Sequence, residues 1–265
     1  MSAPDTPAGS LYLVPNTLDM GTWPADGTPP DIGEVLPVGV LRTAARLEHW
    51  VAENARSARA LLKRVGAQVP LARPLQAIQI QELPRPPKGG KAAAGAQQQR
   101  EAMGLLLAPL LDGHDVGLVS EAGLPAVADP GAALVREAHR CGVRVLPLSG
   151  PSSLILAVAA GGLNGQSFAF VGYLPTEAAQ RAQRLRELET HSQRWQQTQL
   201  LIETPYRNAA MLQALLQHLR PTTWLNVSCG LTLERGWTRT LTVAQWRHAT
   251  VELPAQVPAV FSFLA

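Results

Sequence analysis

Cysteine is nearly absent. Only Cys141 and Cys229 occur in 265 residues, which excludes a disulfide framework and offers no metal-ligand spacing. Both read as small structural residues. Lysine is almost as scarce, at Lys63, Lys88 and Lys91, so 23 − 3 = 20 of the basic residues are arginine. No run approaches the roughly 18 to 20 consecutive apolar residues of a membrane span, so no membrane partner is expected. The six histidines form no H-x-E-x-H or similar pattern, and no metal is expected. A P-loop, a GxGxxG fingerprint and internal repeats are all missing. The first ten residues carry no basic group ahead of an apolar core, which predicts a frayed tail, not a secretory signal. The expected compartment is a reducing cytoplasm.

What is present describes a globular chain, with 46% hydrophobic and 16% charged residues. The length allows one large domain or two modest ones. The net charge is +3 and the pI near 9.2. Arginine's planar fork suits phosphate, so the arginine bias fits an RNA partner; a GC-rich coding sequence accounts for it equally.

Strand, helix, strand with short turns predicts a parallel α/β unit. "LYLVP" (11–15) reads as a strand, 16–37 as a long loop, and 40–66 as helix, "HWVAE" strand and helix, with Gly66 as the stop. "RPLQAIQIQ" reads as a strand and 83–99 as a mobile Pro/Gly/Ala-rich loop. "REAMGLLLAPLLDG" is a helix and "HDVGLVSEAG" a buried strand. "GAALVREAHRCG", closed by Gly142, is a second helix, followed by the strand "VRVLPLSG". A second α/β unit follows: "SFAFVGYLP", a helix over 177–195, "TQLLIETP", a helix over 206–219, "WLNVSCGLT" and "PAVFSFLA". The expected domains are 9–149, with a parallel sheet, and 150–265, with a mixed sheet. Trp50, Trp224 and Trp246 sit in apolar or helical surroundings and are assigned to the core.

Four strand ends carry small residues and turn formers: "SEAGLP" (120–125), "SGPSS" (149–153), "IETPY" (202–206) and "CGLT" (229–232). In open α/β sheets ligands bind outside the carboxyl ends of strands. Two such ends per domain point to a ligand in a cleft between the domains. In the first loop Gly123 permits a tight turn, Pro125 and Pro130 stiffen it, and Asp129 is positioned to cap the helix starting near Gly131.

The ordered set "LYLVP", "VAENARSARALL", "GLVSEAGLPAVADPG", "PLSGPSS", "GYLP", "IETPYR" and "GLTLE" resembles the tetrapyrrole methylase superfamily. Within it the chain resembles the ribosomal small-subunit RNA 2′-O-methyltransferase group, over nearly its whole length. Its "PNTLDMG", "ENAR" and "SEAG" differ from that group's usual "TPIGN"-like turn, Glu-Asp-Thr-Arg and "SDAG". The resemblance implies two α/β domains, S-adenosylmethionine as cofactor, and a homodimer. It implies that Ser120, Glu121, Ala122, Gly123, Pro125 and Val127 line the methionine end of the cofactor, with Ser152 and Ser153 facing the same cleft. Tyr206, Leu231, Pro258 and Ala259 would surround the adenosine. Pro15 and Asn16 would stand at the edge where the target enters.

Methyl transfer from a sulfonium is an in-line displacement governed by positioning. A ribose hydroxyl also has to lose its proton. Glu53 is the first candidate for the base, with Arg56 on a substrate phosphate and Asn54 orienting the target; a helix cap or an ion pair with Arg56 or Arg59 is the alternative for Glu53. Arg181 and Arg184 share a helical face and, with Arg186, form either a phosphate-contacting strip or a solvated amphipathic face. Three functions fit: methylation of structured, ribosomal RNA; the same chemistry on a tetrapyrrole or other small molecule; or a non-catalytic cofactor- or RNA-binding relative.

Overall fold

A computed structural model of the chain describes residues 8–22, 29–84 and 100–265. The expected N-terminal tail and most of the 83–99 loop lie outside the described residues. The described residues divide into two units, 8–20 with 29–84 and 100–151, and 21–22 with 152–265.

The first unit holds β1 (Ser10–Leu13), α1 (Val38–Arg46), β2 (His49–Ala52), α2 (Ala55–Gln68) and β3 (Gln79–Glu82). After it come α3 (residues 100–106), α4 (Ala108–Leu111), β4 (Val116–Val119), α5 (Ala132–Arg140) and β5 (Arg144–Pro147). Its five strands run in the order β3-β2-β4-β1-β5, and every pairing is parallel. Parallel strands are covered on both faces and so read as continuous apolar runs; all four residues of β4 are buried.

The alternation of side chains along these strands separates two cores. Tyr12, Val14, Trp50 and Val119 pack with Val40, Leu41, Leu61 and Leu62 of α1 and α2. Leu11, Val51, Val116 and Leu118 pack with Met103, Leu107, Leu134 and Ala138 on the other face. The helices after β1 and β2 therefore cover one face, and those before and after β4 cover the other, as right-handed crossovers require when the strand order reverses. The reversal falls between β1 and β4. A cavity-forming change there, such as Leu118→Ala, costs about 2–5 kcal/mol.

The second unit holds α6 (Ser153–Gly161), β6 (Phe168–Phe170), α7 (Ala178–Trp195), β7 (Thr198–Ile202) and α8 (Asn208–His218). β8 (Trp224–Cys229), β9 (Trp237–Thr242), α9 (Val243–Trp246) and β10 (Ala259–Leu264) complete it. The sheet order is β6-β7-β10-β8-β9, parallel between β6 and β7 and antiparallel elsewhere. Leu185 and Leu188 of α7 and Met211, Leu212 and Leu215 of α8 pack on one face, against Leu225, Val227, Phe261 and Phe263. On the other face α6 meets a polar seam: Asn226 Oδ1 accepts from Ser228 and Ser262, and its Nδ2 donates to Thr240 at 2.9 Å. Thr240 in turn donates to the Gly161 carbonyl at 2.7 Å.

Three local expectations are corrected, and one strand is added. Gly66 lies inside α2, which runs to Gln68. Its ends are set elsewhere, by Asn54 accepting from the Arg56 N–H and by Val69 donating to the Val65 carbonyl. Asp129 does not cap α5; the N-cap is Gly131, with no side-chain bond, and the Asp129 carboxylate interacts with Ser120 instead. Trp224 is 48% exposed, since it begins β8 on the side opposite Leu225. Strand β9, "WTRTLT", was not foreseen: its pairing on β8 comes from the sheet edge, and its residues carry no apolar run.

Candidate functional site

All five strands of the first unit end on the same side of the sheet. Their exits bring together residues far apart in sequence: Pro15 and Asn16 after β1, Glu53 and Asn54 after β2, Ser120 to Gly123 after β4, and Gly150 after β5. Asn16 and Gly123 form an isolated antiparallel bridge, with N–H to carbonyl distances of 2.8 and 3.2 Å. The Asn16 carboxamide ties the loops further, donating to the Ser120 and Glu121 carbonyls at 3.1 and 3.0 Å and accepting from the Thr17 N–H at 2.8 Å.

Two glycines are required by this geometry. Gly123 has φ +64°, and a Cβ there would lie 3.3 Å from the Leu18 side chain and 3.5 Å from the Pro151 carbonyl oxygen. At Gly150 a Cβ would lie 2.2 Å from Pro15, so only glycine lets the β1 and β5 exits touch. Farther along the loop Ala126 and Ala128 also have positive φ, +66° and +64°. Each is a left-handed alanine, costing about 1–2 kcal/mol, and such strain collects at functional sites.

Three carboxylates gather around the β4 exit. Glu53 accepts from the Glu121 N–H at 3.3 Å, and Ser57 donates to Glu121 at 3.4 Å. Burial raises the Glu53 pKa, the Glu121 N–H bond opposes that, and the Glu121 charge adds to it. Asp129 is pushed up to about 6, by burial first and then by the charge of Glu53, with Ser120 pulling the other way and Glu121 adding to the rise. Among the described residues none of the three forms an ion pair. Glu53 is therefore neither the α2 cap nor a partner of Arg56 or Arg59. Asn54 is the cap, through its Oδ1 and the Arg56 N–H at 2.8 Å. Arg56 is exposed on the first turn of α2.

Residues that sequence patterns could not indicate brace the loop after β1. Arg64 of α2 donates to Thr17 at 3.2 Å, to Asp19 at 2.9 Å and to the Pro30 carbonyl at 3.0 Å. Its partners lie 34 to 47 residues away, so no local spacing could have shown the clamp. Asp129 likewise had a turn signature that explained it as a cap.

Of the expected residues in the first unit, Pro125 is buried, Ala122 half-buried and Val127 exposed on the same loop. In the second unit the exits of β6, β7 and β8 share one end of the sheet with the start of β10. Gly230 donates to the Pro258 carbonyl at 2.9 Å, which sets Leu231 beside Pro258 and Ala259. Tyr206, in a 3-10 turn after β7, is 70% exposed. Its turn is anchored by buried Glu203, which accepts from the Thr204 N–H and from Arg207, both at 2.7 Å. Ser152 is the N-cap residue of α6 without a side-chain bond, and Ser153 follows it half-buried. Arg181 is tied to the Thr176 carbonyl at 3.0 Å, and Arg184 pairs with Glu187 at 3.2 Å.

A doubly wound parallel sheet with a reinforced strand exit at its reversal point, followed by a mixed-sheet α/β unit, defines a class of α/β ligand-binding proteins. The sequence profile of the family described as Tetrapyrrole (Corrin/Porphyrin) Methylases matches residues 27–242. The chain belongs to this family. It is 40% identical over 116 residues to Ribosomal RNA small subunit methyltransferase I of Pseudomonas aeruginosa, covering 44% of this chain and 40% of that protein. It is 32% identical over 187 residues to the protein of the same name from Xylella fastidiosa, covering 70% of this chain and 59% of that one. Matched stretches span 32% to 59% of the lengths of such curated relatives. The fold is similar to uroporphyrin-III C-methyltransferase from Thermus thermophilus, solved complexed with S-adenyl homocysteine. That likeness has TM-score 0.50 and 18% identity, and covers 97% of both chains.

Proposed function

We propose that the chain is an S-adenosylmethionine-dependent methyltransferase acting on structured, ribosomal RNA, in the cytoplasm and as a homodimer, with domains 9–149 and 150–265. The carrying observation is the set of three carboxylates, Glu53, Glu121 and Asp129, gathered without a cationic partner among the described residues at the sheet's reversal point. A sulfonium and an ammonium are the charges such a set accepts. Family membership and the names of the ribosomal RNA methyltransferase relatives support the cofactor and the acceptor. Among the described residues no helix is long and apolar enough to cross a membrane.

The cofactor assignments are Pro15, Ser120 to Gly123, Pro125 and Val127 in the first unit, and Ser152, Ser153, Tyr206, Leu231, Pro258 and Ala259 in the second. When bound, the cofactor supplies an electrophilic methyl group. The protein's part is to hold and deprotonate the acceptor. Glu53 is anchored through Oε2 to the Glu121 N–H, leaving Oε1 to take the proton of a ribose hydroxyl; its raised pKa makes it a stronger base than an ordinary glutamate. Arg56 contacts a phosphate of the target. Asn54 has its Oδ1 committed to the helix cap and offers its Nδ2 to the target. Asn16 shapes the rim of the entrance, and Arg181 and Arg184 contact RNA beyond it.

Calorimetric titration of the purified protein should show micromolar binding of S-adenosylmethionine and S-adenosylhomocysteine. Ribosomal RNA from a strain lacking the gene should be lighter by one methyl group at one nucleotide. Unchanged RNA mass, with an accumulated tetrapyrrole intermediate, would replace the acceptor by a small molecule.

A further inference from the structure

We propose that the outer face of α7 is a docking surface for single-stranded RNA, with Trp195 stacking on a base and Arg186 and Arg194 on neighbouring phosphates. The helix buries Ala182, Leu185, Leu188 and Ser192. The opposite stripe, from Gln183 to Trp195, follows spacings of three and four residues and lines a groove of about 540 Å³. At 1.5 Å per residue it is about 18 Å long.

Three features of the stripe select a nucleic acid. Trp195 is 58% exposed, although an indole of this size is normally packed. Its ring is flanked by cation-capable groups: the Arg194 guanidinium 5.1 Å from the ring centroid, and the His191 ring at 6.3 Å. The only carboxylate lining the groove among the described residues, Glu187, is engaged by Arg184 at 3.2 Å and Gln183 at 3.0 Å. Arg186 and Arg194 form no ion pair among the described residues, so the face presents two cations and an aromatic plane. That is the combination by which proteins hold single strands without reading their sequence. Tryptophan and arginine are also enriched in protein–protein interfaces; a protein partner is an occupant that the sedimentation measurement below separates. The choice of RNA over DNA rests on the acceptor proposed above; the surface itself does not depend on methyl transfer.

The experiment is fluorescence-anisotropy binding of a labelled short oligouridylate to the full chain and to Trp195→Ala and Arg186→Gln/Arg194→Gln. Cofactor titration and sedimentation are run on each protein. The parent should bind with an affinity that falls as salt rises. Trp195→Ala should weaken binding roughly 5- to 150-fold, and the double arginine variant should flatten the logarithmic salt slope by about 1.4, at roughly 0.7 per phosphate contact. Cofactor binding should be the same in all three. Variants that bind the oligonucleotide like the parent would overturn the proposal, as would a parent that does not bind it. A variant that dissociates from dimer to monomer would assign the face to a protein interface and overturn it equally. Loss of cofactor binding in the parent, with oligonucleotide binding intact, would remove the methyltransferase reading and leave this surface standing.

Discussion

Asn16 and Gly123 exchange backbone hydrogen bonds at 2.8 and 3.2 Å across more than a hundred residues of sequence. The bridge joins the exits of β1 and β4, the two neighbouring strands whose following helices cover opposite faces of the sheet. At such a reversal the helices diverge and the strand ends stand open. Here the opening is floored by main chain held in a single arrangement by the Asn16 carboxamide.

Substitution in the β4 exit loop should reverse the usual sign of alanine-to-glycine changes. Ala128 is exposed with φ +64°, so Ala128→Gly removes a left-handed penalty of about 1–2 kcal/mol against an entropy cost of roughly 0.5–1 kcal/mol. The urea midpoint should rise, corresponding to as much as about 1.5 kcal/mol. Gly123→Val should lower it by more than about 1 kcal/mol, through the positive φ and the Leu18 contact. A valine variant as stable as the parent would mean that the loop takes another conformation.

Asp129 should give stability a pH dependence of unusual sign. Its folded pKa, about 6, lies above the ordinary 3.8, so the folded state holds the proton more tightly than the unfolded state. The associated stability is fully present below about pH 4 and lost as pH rises through about 6. Asp129→Asn should remove that slope and leave the protein more stable at pH 7, by about 1–2 kcal/mol after allowance for solvent screening. Denaturation midpoints at pH 4 and pH 7 test this; parallel shifts of parent and variant would show that Asp129 ionises normally.

Glu53→Gln should lower the Asp129 pKa, because the Glu53 charge is the second cause of its rise after burial. NMR titration of the Asp129 carboxyl reads this directly. On the proposed function, the same variant should lose about 10²- to 10⁴-fold in methyl-transfer rate and bind S-adenosylmethionine more weakly, since one of the three carboxylates is gone. An unchanged rate would leave Glu53 as a shaping residue only.

Arg64→Ala should destabilise the first unit by about 2–4 kcal/mol, since the Arg64–Asp19 pair is largely buried, with side-chain exposures of 15% and 9%. Arg64→Lys should recover little of this, because one ammonium cannot span Thr17, Asp19 and the Pro30 carbonyl as the guanidinium does. Chemical denaturation of the three proteins settles it.

Much of this was legible in the chain because parallel strands and their exits leave local marks. The run "VGLV" is apolar because both faces of β4 are covered, and "SEAGLP" is small because its loop meets another main chain at Asn16. The family motifs led to the same strand ends. What stayed hidden was long-range and polar. No periodicity announces that Glu53, Glu121 and Asp129 share one neighbourhood, or that Arg64 reaches the loop after β1. The Asp-Pro-Gly turn marks Asp129 as a cap by a local rule that does not register the distant carboxylates beside it. The alternating polar residues of β9 fit an edge strand only once β8 is beside them.

Strand β1 has no partner near it in the chain: its neighbours are Val116–Leu118 on one side and Arg144–Pro147 on the other. During synthesis at roughly 5–20 residues per second, Leu11 to Leu13 must wait on the order of ten seconds before the second of these neighbours exists. The Asn16–Gly123 bridge and the carboxylate set cannot assemble before β4 and its exit loop are made. Within the first unit the first strand made is thus among the last to be paired, and until then its apolar edge stands open.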